Sequence, residues 1–225
     1  MPRAPLGYGK EDHFIKKGYK LHGVIHVGMN DGEEITWYWH VGRLPVLGFE
    51  PIYSAYMACL KNYAPEIASG QVYISNCALG NKSEALKMTV SEFNGVWDTK
   101  GATGLGQIPA ENAIKMGWIP NTKTAEEMVV CSRFDDWVGI NDWALAPYDT
   151  LVIDVQGMEL QVLEGFGRYI YQMKYLMIEC SETPLWNGEA SGQEITNWLE
   201  KRGFTRDSPI VSHNDVMFIR TDLIK

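Results

Sequence analysis

The chain has 225 residues, 45% hydrophobic and 21% charged, with a formal net charge of -8. That length suits a domain with a substantial core, and the acidic balance argues against tight, sequence-independent binding of nucleic acid, which asks for a basic footprint. No apolar run approaches the ~20 residues of a membrane-crossing helix, and the opening Met-Pro-Arg-Ala-Pro-Leu-Gly-Tyr holds no apolar signal core. The expectation is a cytoplasmic protein with neither membrane nor nucleic-acid partners. Cys59, Cys77, Cys131 and Cys180 form no CxxC pair, so disulfide and zinc patterns are both absent. Buried free thiols in a reducing compartment are expected.

Residues 1–20, with Pro2, Pro5, Gly7, Gly9 and Gly18, read as an arm. Its lysines Lys10, Lys16, Lys17 and Lys20 form a solvated face. Residues 21–225 read as a single domain. Val24–Gly28 is a buried strand with a glycine exit, and Asp31–Val41 a helix with Ile35, Trp37, Tyr38 and Val41 as its apolar positions. Pro45–Glu50 is a second strand ending in an acid, Tyr53–Tyr63 a helix, and Val72–Ile74 a third strand. Ala85–Phe93 alternates as half of a hairpin would. A loop-rich insertion follows at about 94–127. Trp97 and Trp118 lie in its Asn94–Lys123 stretch, which reads as a lid over an acceptor or, alternatively, as a contact between copies in a homo-oligomer.

Met128–Cys131 is a short strand, and a small helix spans Phe134–Val138. Leu151–Asp154 is a strand, Met158–Phe166 a helix, and Tyr175–Cys180 a strand carrying Glu179 near its end. Gln193–Lys201 is a helix closed by Gly203. Ile210-Val211 and Val216–Ile219 flank the turn His213-Asn214-Asp215 as a terminal antiparallel hairpin. Strands alternating with helices predict a mostly parallel sheet with helices on both faces. Right-handed crossovers then bring Gly28, Glu50, Asn76, Asp154 and Glu179 to one edge, where open α/β sheets bind ligands.

Three stretches at that edge carry chemistry. Gly28-Met29-Asn30-Asp31-Gly32 turns a strand into a helix, and its glycines let a ligand approach the backbone. The spacing is not G-x-G-x-x-G, so a pyrophosphate clamp is disfavoured. The carboxylate of the methionyl tail of S-adenosylmethionine would suit the helix end, and an ordinary strand–helix turn fits the loop equally well. Glu50 stands about 20 residues further on, where an acid accepts hydrogen bonds from ribose hydroxyls. The alternative is an exposed acid capping the turn before Pro51. Asn76 and Ala78 could border an adenine edge, or Asn76 could be a satisfied strand-end amide.

Val24-Ile25-His26-Val27-Gly28-Met29-Asn30-Asp31-Gly32, Gly48-Phe49-Glu50-Pro51, Asn76-Cys77-Ala78-Leu79-Gly80 and the run Asp154–Gly165 resemble, in this order, the FkbM family of S-adenosylmethionine-dependent methyltransferases. Arg133–Trp137 and Asp215–Arg220 agree, so the resemblance covers roughly residues 22–220. It implies a Rossmann-like class I methyltransferase fold and O-methylation of a sugar, glycan or other small-molecule hydroxyl. It implies further that Gly28, Asn30, Asp31 and Gly32 form the cofactor loop, Glu50 holds the ribose, Asn76 and Ala78 border the adenine, and Asp154 sits near the transferred methyl. The chain departs from the family pattern at His26, usually Asp; at Val152, often Lys; and at Gln156, usually Glu. These departures argue against a carboxylate-rich metal site and a lysine-assisted base. His26 could hydrogen-bond the loop or be a structural strand histidine.

A hydroxyl nucleophile must lose its proton, and a positioned base adds about 10²–10⁴-fold. Asp154 is the first candidate, with Glu179 and His213 behind it. Asp154 could instead orient the cofactor amine, and His213 could be a plain turn histidine. Two other functions compete: a cofactor-binding module without catalysis, in which Val152 and Gln156 mark lost chemistry, and a nicotinamide-dependent oxidoreductase. The missing G-x-G-x-x-G and Tyr-x-x-x-Lys patterns count against the latter.

Overall fold

The structure, a computed structural model, describes residues 12–93, 96–106, 109–115, 124–210 and 214–224. In chain order the elements are α1 (Asp12–Lys16), β1 (Val24–Val27), α2 (Ile35–His40), β2 (Val46–Phe49), α3 (Tyr53–Asn62), α4 (Ala64–Ala68), β3 (Val72–Ser75), β4 (Ala78–Leu79), β5 (Glu84–Phe93) and β6 (Val96–Thr103). There follow α5 (Ala110–Lys115), β7 (Thr124–Ser132), α6 (Phe134–Asn141), β8 (Thr150–Ile153), α7 (Glu159–Gly165), β9 (Tyr175–Cys180), α8 (Gly192–Glu200), β10 (Phe204–Arg206) and β11 (Asn214–Arg220).

Seven strands form the main sheet in the order β10-β11-β9-β8-β1-β2-β3. The five from β9 to β3 run parallel, with His26 opposite both Gly48 and Val152, and Val152 opposite Met177. Strand β11 returns antiparallel beside β9, with β10 antiparallel on its far side. The parallel strands are short apolar runs because both faces are covered. Ile25, Leu47, Phe49, Leu151, Ile153 and Ile178 pack on one face with Phe134 and Trp137 of α6, Val162 of α7 and Ile195 of α8. Val24, Val46, Val152 and Met177 face the other way, against Phe14 of α1, Ile35 and Tyr38 of α2 and Cys59 of α3. The period of two along each strand makes this division.

Most expected elements stand within a residue or two of their predicted bounds. Helix α8 opens on a capping box, with Ser191 Oγ accepting from Glu194 N and Glu194 Oε2 accepting from Ser191 N, and Gly203 follows it with φ +83°.

Four differences have physical causes. Helix α2 starts at Ile35 rather than Asp31, because Asn30 (φ +48°) and Gly32 (φ +78°) hold left-handed backbone that no α-helix accepts. The insertion expected to be loop-rich contains β6, α5 and the first half of β7 among its described residues. The terminal hairpin is real, but β11 pairs with Phe204–Arg206, Ile210 stands outside the strands, Val211 lies outside the described residues, and Asn214 and Asp215 belong to β11. Ile210 is drawn instead into a niche over Gly192 and Cys180. In the arm, Lys17 is not simply solvated: its Nζ lies 2.6 Å from Asp207 Oδ2, which also meets His13 Nε2 at 2.7 Å.

A second sheet, in the order β4-β7-β5-β6, is antiparallel apart from the β4–β7 pair. Met88, Val90, Ala102, Val129 and Cys131 from it cluster with Ile52 and Ala55 at the start of α3. This packing holds the second sheet against the segment that leaves β2, beside the carboxyl edge of the parallel strands.

Candidate functional site

The exits of β1, β2 and β8 are tied together before any ligand is considered. Gly28 N and Met29 N both donate to Phe49 O, at 3.0 and 3.1 Å, and Asp154 N donates to Val27 O at 3.0 Å. Gly28 has φ +84°, and a Cβ there would fall 1.7 Å from Asp154 O. Only glycine allows this turn and this closeness of β1 to β8.

A cavity of about 260 Å³ opens along these exits. Gly28, Asn30, Asp31, Glu50, Ala78, Asp154 and Glu179 all line it, so seven of the residues predicted to form the site meet at one edge. Gly32 and Asn76 stand behind it. Gly32 packs where a Cβ would lie 2.5 Å from Cys59 Sγ. The Asn76 amide donates to Glu50 O and Pro51 O, 2.9 Å each, and so fixes the backbone around the acid. Cys77, Ala78 and Leu79 line the wall beside it. His213 and Trp118 lie outside the described residues, as does the side chain of Trp97.

Glu50 is a buried acid, 5% exposed, and not the exposed turn cap that was its alternative. Its Oε2 accepts from Asn30 N at 2.8 Å and its Oε1 from Ile52 N at 2.7 Å. The acid therefore orders the glycine loop and the start of α3 together. Burial pushes its pKa up to about 7, against the opposing pull of those two hydrogen bonds.

His26 also lines the cavity, yet its Nδ1 lies 2.9 Å from the Tyr38 hydroxyl and not on the loop. Burial lowers its pKa to about 4, so the ring is neutral at ordinary pH. Beyond it the cavity floor crosses Val152 and Met177 to the carboxyls at the ends of β8, β9 and β11: Asp154, Glu179 and Asp215. Asp154 is half-buried. Its carboxyl is held well above the usual range, first by that burial and then by Glu179. Leu86 and Met88 of β5 and Ala102 of β6 line the same cavity from the second sheet and give it an apolar wall.

Four contributing residues escaped the sequence reading of the site. Gln156, noted only as a departure, donates from Nε2 to Asp154 Oδ1 and Glu179 Oε2 at 2.7 Å each. Glu159 is buried, and its Oε1 accepts from Val155 N at 3.2 Å and Gly157 N at 3.0 Å, which shapes the loop after β8; burial raises its pKa to about 7. An acid two residues after a glycine, in the first turn of a helix, is the signal that could have revealed it. Asp215 becomes visible only once β11 is known to pair with β9, with Asp215 opposite Glu179. Thr103, whose Oγ1 donates to Gln156 O at 2.6 Å, has no sequence signal at all.

A family model described as the Methyltransferase FkbM domain matches residues 26–205. The chain belongs to the FkbM methyltransferase family. Among curated proteins, 2-O-methyltransferase NoeI of Sinorhizobium fredii (strain NBRC 101917 / NGR234) is 22% identical over 204 residues, which cover 89% of this chain and 80% of NoeI. Among solved structures, Methyltransferase FkbM from Methylobacillus flagellatus KT aligns with a TM-score of 0.56 at 14% identity over 88% of this chain. This FkbM chain spans less than half of that protein's length, 43%. A magnesium protoporphyrin IX methyltransferase from Synechocystis PCC 6803 aligns with a TM-score of 0.47 at 11% identity, over 92% of this chain and 74% of its own. The fold is the Rossmann-like fold of class I methyltransferases.

Proposed function

We propose that this FkbM-family protein transfers a methyl group from S-adenosylmethionine to a hydroxyl of a sugar, glycan or other small molecule. One observation carries the reading: the acid ending β2 and the acid ending β8 open on the same cavity, on either side of the glycine loop. The residues fit the donor. Asp31 lines the cavity, and its Oδ1 is buried without a hydrogen-bond partner among the described residues, as a site for an ammonium requires. Gly28 leaves the backbone of the loop bare. Glu50 would receive the ribose hydroxyls, and Ala78, Leu86, Met88 and Ala102 would enclose the base in an apolar slot.

S-adenosylmethionine supplies the activated methyl; the chain supplies position and proton management. Alignment of the acceptor oxygen is worth up to ~7–11 kcal/mol of the barrier. Asp154 and Glu179 stand at the floor of the cavity, on the side of the sheet away from Glu50, and we assign the acceptor's proton to that side. O-methylation draws support from the name of NoeI, a 2-O-methyltransferase. Four buried free cysteines, and the absence among described residues of any helix long and apolar enough to cross a membrane, support a cytoplasmic setting.

The test has two parts. Calorimetry should detect S-adenosylhomocysteine and not NAD. Methyl-labelled S-adenosylmethionine should then label at least one member of a panel of sugars and hydroxylated metabolites. Binding without transfer across the panel would favour a non-catalytic module, and NAD binding in place of the homocysteine nucleoside would refute the proposal.

A further inference from the structure

The side chain of Gln156 does more than its place after β8 demands. The residue sits at φ +54°, a left-handed conformation that side chains with a Cβ rarely adopt. From there its Nε2 reaches Asp154 Oδ1 and Glu179 Oε2, 2.7 Å each. An amide nitrogen has two hydrogens, and both are used. The single amide therefore bridges two carboxyls at the ends of the neighbouring strands β8 and β9. On its main-chain side Gln156 is held by the second sheet. Thr103 Oγ1 donates to Gln156 O at 2.6 Å and accepts from Leu105 N at 3.1 Å, while Leu105 and Trp186 crowd the space over Gly157.

We propose that Gln156 is a positioning residue that joins Asp154 and Glu179 into one proton-binding pair at the acceptor end of the cavity. The use of this pair rests on the methyltransferase reading. The acceptor oxygen forms the new O–C bond to the methyl, and the C–S bond breaks with its electron pair left on sulfur. The hydroxyl proton passes to the ionised carboxyl of the pair. A pair holding one proton still has one carboxyl to receive another, and the Gln156 amide steadies the ionised oxygen. Among the described residues the neighbouring groups supply no cation: Asp215 on β11 and Glu159 on α7 are acids, Glu189 acts on Glu159 from the loop after β9, and His26 on β1 is kept neutral by burial. Burial first, and then Glu179, holds the Asp154 carboxyl well above the usual carboxylate range.

The experiment is a pH titration of the whole chain by NMR, with carboxyl-labelled Asp and Glu and signals assigned through Asp154→Asn and Glu179→Gln. In the unaltered chain both signals should move together through two steps, as coupled groups do. Gln156→Leu removes the donor to the ionised form, so the upper step should rise by roughly 1–2 pH units, the scale of a hydrogen bond to a charge. Thr103→Val keeps both carboxyls and the amide and should shift the same step in the same direction; it serves if Gln156→Leu does not fold. Independent single-step titrations, or an upper step that neither variant moves, would overturn the proposal. Calorimetry of S-adenosylhomocysteine on the unaltered chain is read separately. A chain that binds it but titrates its acids independently refutes the pair alone. Joint titration in a chain that ignores it refutes the reading on which the pair depends.

Discussion

Glu50 offers the sharpest test of the cofactor site, because its predicted role and its electrostatics pull in opposite directions. In the free protein burial raises its pKa from 4.5 to about 7. A carboxyl whose folded value lies above its unfolded one favours the protonated folded state. Its contribution to stability is therefore fully present below the unfolded pKa and is lost as pH rises through about 7. A ligand whose ribose hydroxyls donate to this carboxylate favours the ionised form instead, so binding must release a proton wherever Glu50 is protonated beforehand. With a free-state value of about 7, the ionised fraction is ~0.1 at pH 6 and ~0.9 at pH 8, which makes affinity for S-adenosylhomocysteine rise about tenfold across that window. At pH 7 about half a proton should be released per ligand bound. Calorimetry in buffers of different ionisation enthalpy measures that number directly. Glu159 and Asp154 also bind protons more tightly than ordinary acids, so the control is Glu50→Gln, which should flatten the slope and weaken binding. A flat affinity in the unaltered chain, or a slope that survives in Glu50→Gln, would refute the assignment of the ribose to Glu50.

Gly28→Ala should destabilise the fold by more than about 3 kcal/mol in chemical denaturation, since its Cβ would lie 1.7 Å from Asp154 O on a backbone of positive φ. Ala102→Phe should fill the apolar wall of the cavity and lower affinity for S-adenosylhomocysteine at least about tenfold, with a melting point little changed because the new ring enters open space. Asp149→Asn removes a buried acid at the opposite end of β8, where Oδ1 accepts from His22 N and Oδ2 meets His22 Nδ1 at 2.7 Å and Lys174 Nζ at 3.2 Å. Burial works to raise its pKa, but the bonds from His22 and Lys174 outweigh it and leave the value below the ordinary one. The loss should be about 1–3 kcal/mol at pH 7, discounted for the half-exposed His22. Because the folded value is depressed, the difference from the unaltered chain should be present above the unfolded pKa of ~3.9 and vanish as pH falls through the lower folded value.

The parallel core was legible because burial on both faces writes itself as short apolar runs, and a charged residue that ends such a run stands out. Val46–Phe49 followed by Glu50, and Thr150–Ile153 followed by Asp154, are of this kind. In the second sheet β5 and the end of β7 were legible too, but β6 and the start of β7 were not, for the opposite reason. Strand β6 reads Val-Trp-Asp-Thr-Lys-Gly-Ala-Thr, and β7 begins with the exposed run Thr-Ala-Glu. Neither alternates apolar with polar, and both become strands because β5 offers a ladder to pair with. The same blindness hid Thr103. A hydroxyl that bonds a carbonyl more than fifty residues away leaves no local trace.

Three acids at this edge, Glu50 and Asp154 at strand ends and Glu159 in the first turn of α7, all carry raised pKa values from burial, so that shift alone does not separate their roles. Hydrogen bonding does. Glu159 directs its Oε1 to two N–H groups of its own loop, which is what a group fixing backbone shape does. Glu50 also accepts two N–H groups, but from segments on either side of the cavity, so it couples the shape of the loop to whatever lies against it. Asp154 is met by a side chain, the Gln156 amide that also holds Glu179 Oε2, so its protonation can change without any movement of the backbone. A base must change its protonation while its surroundings hold still, which is why the proposed methyl transfer gives that role to Asp154 and not to Glu50 or Glu159.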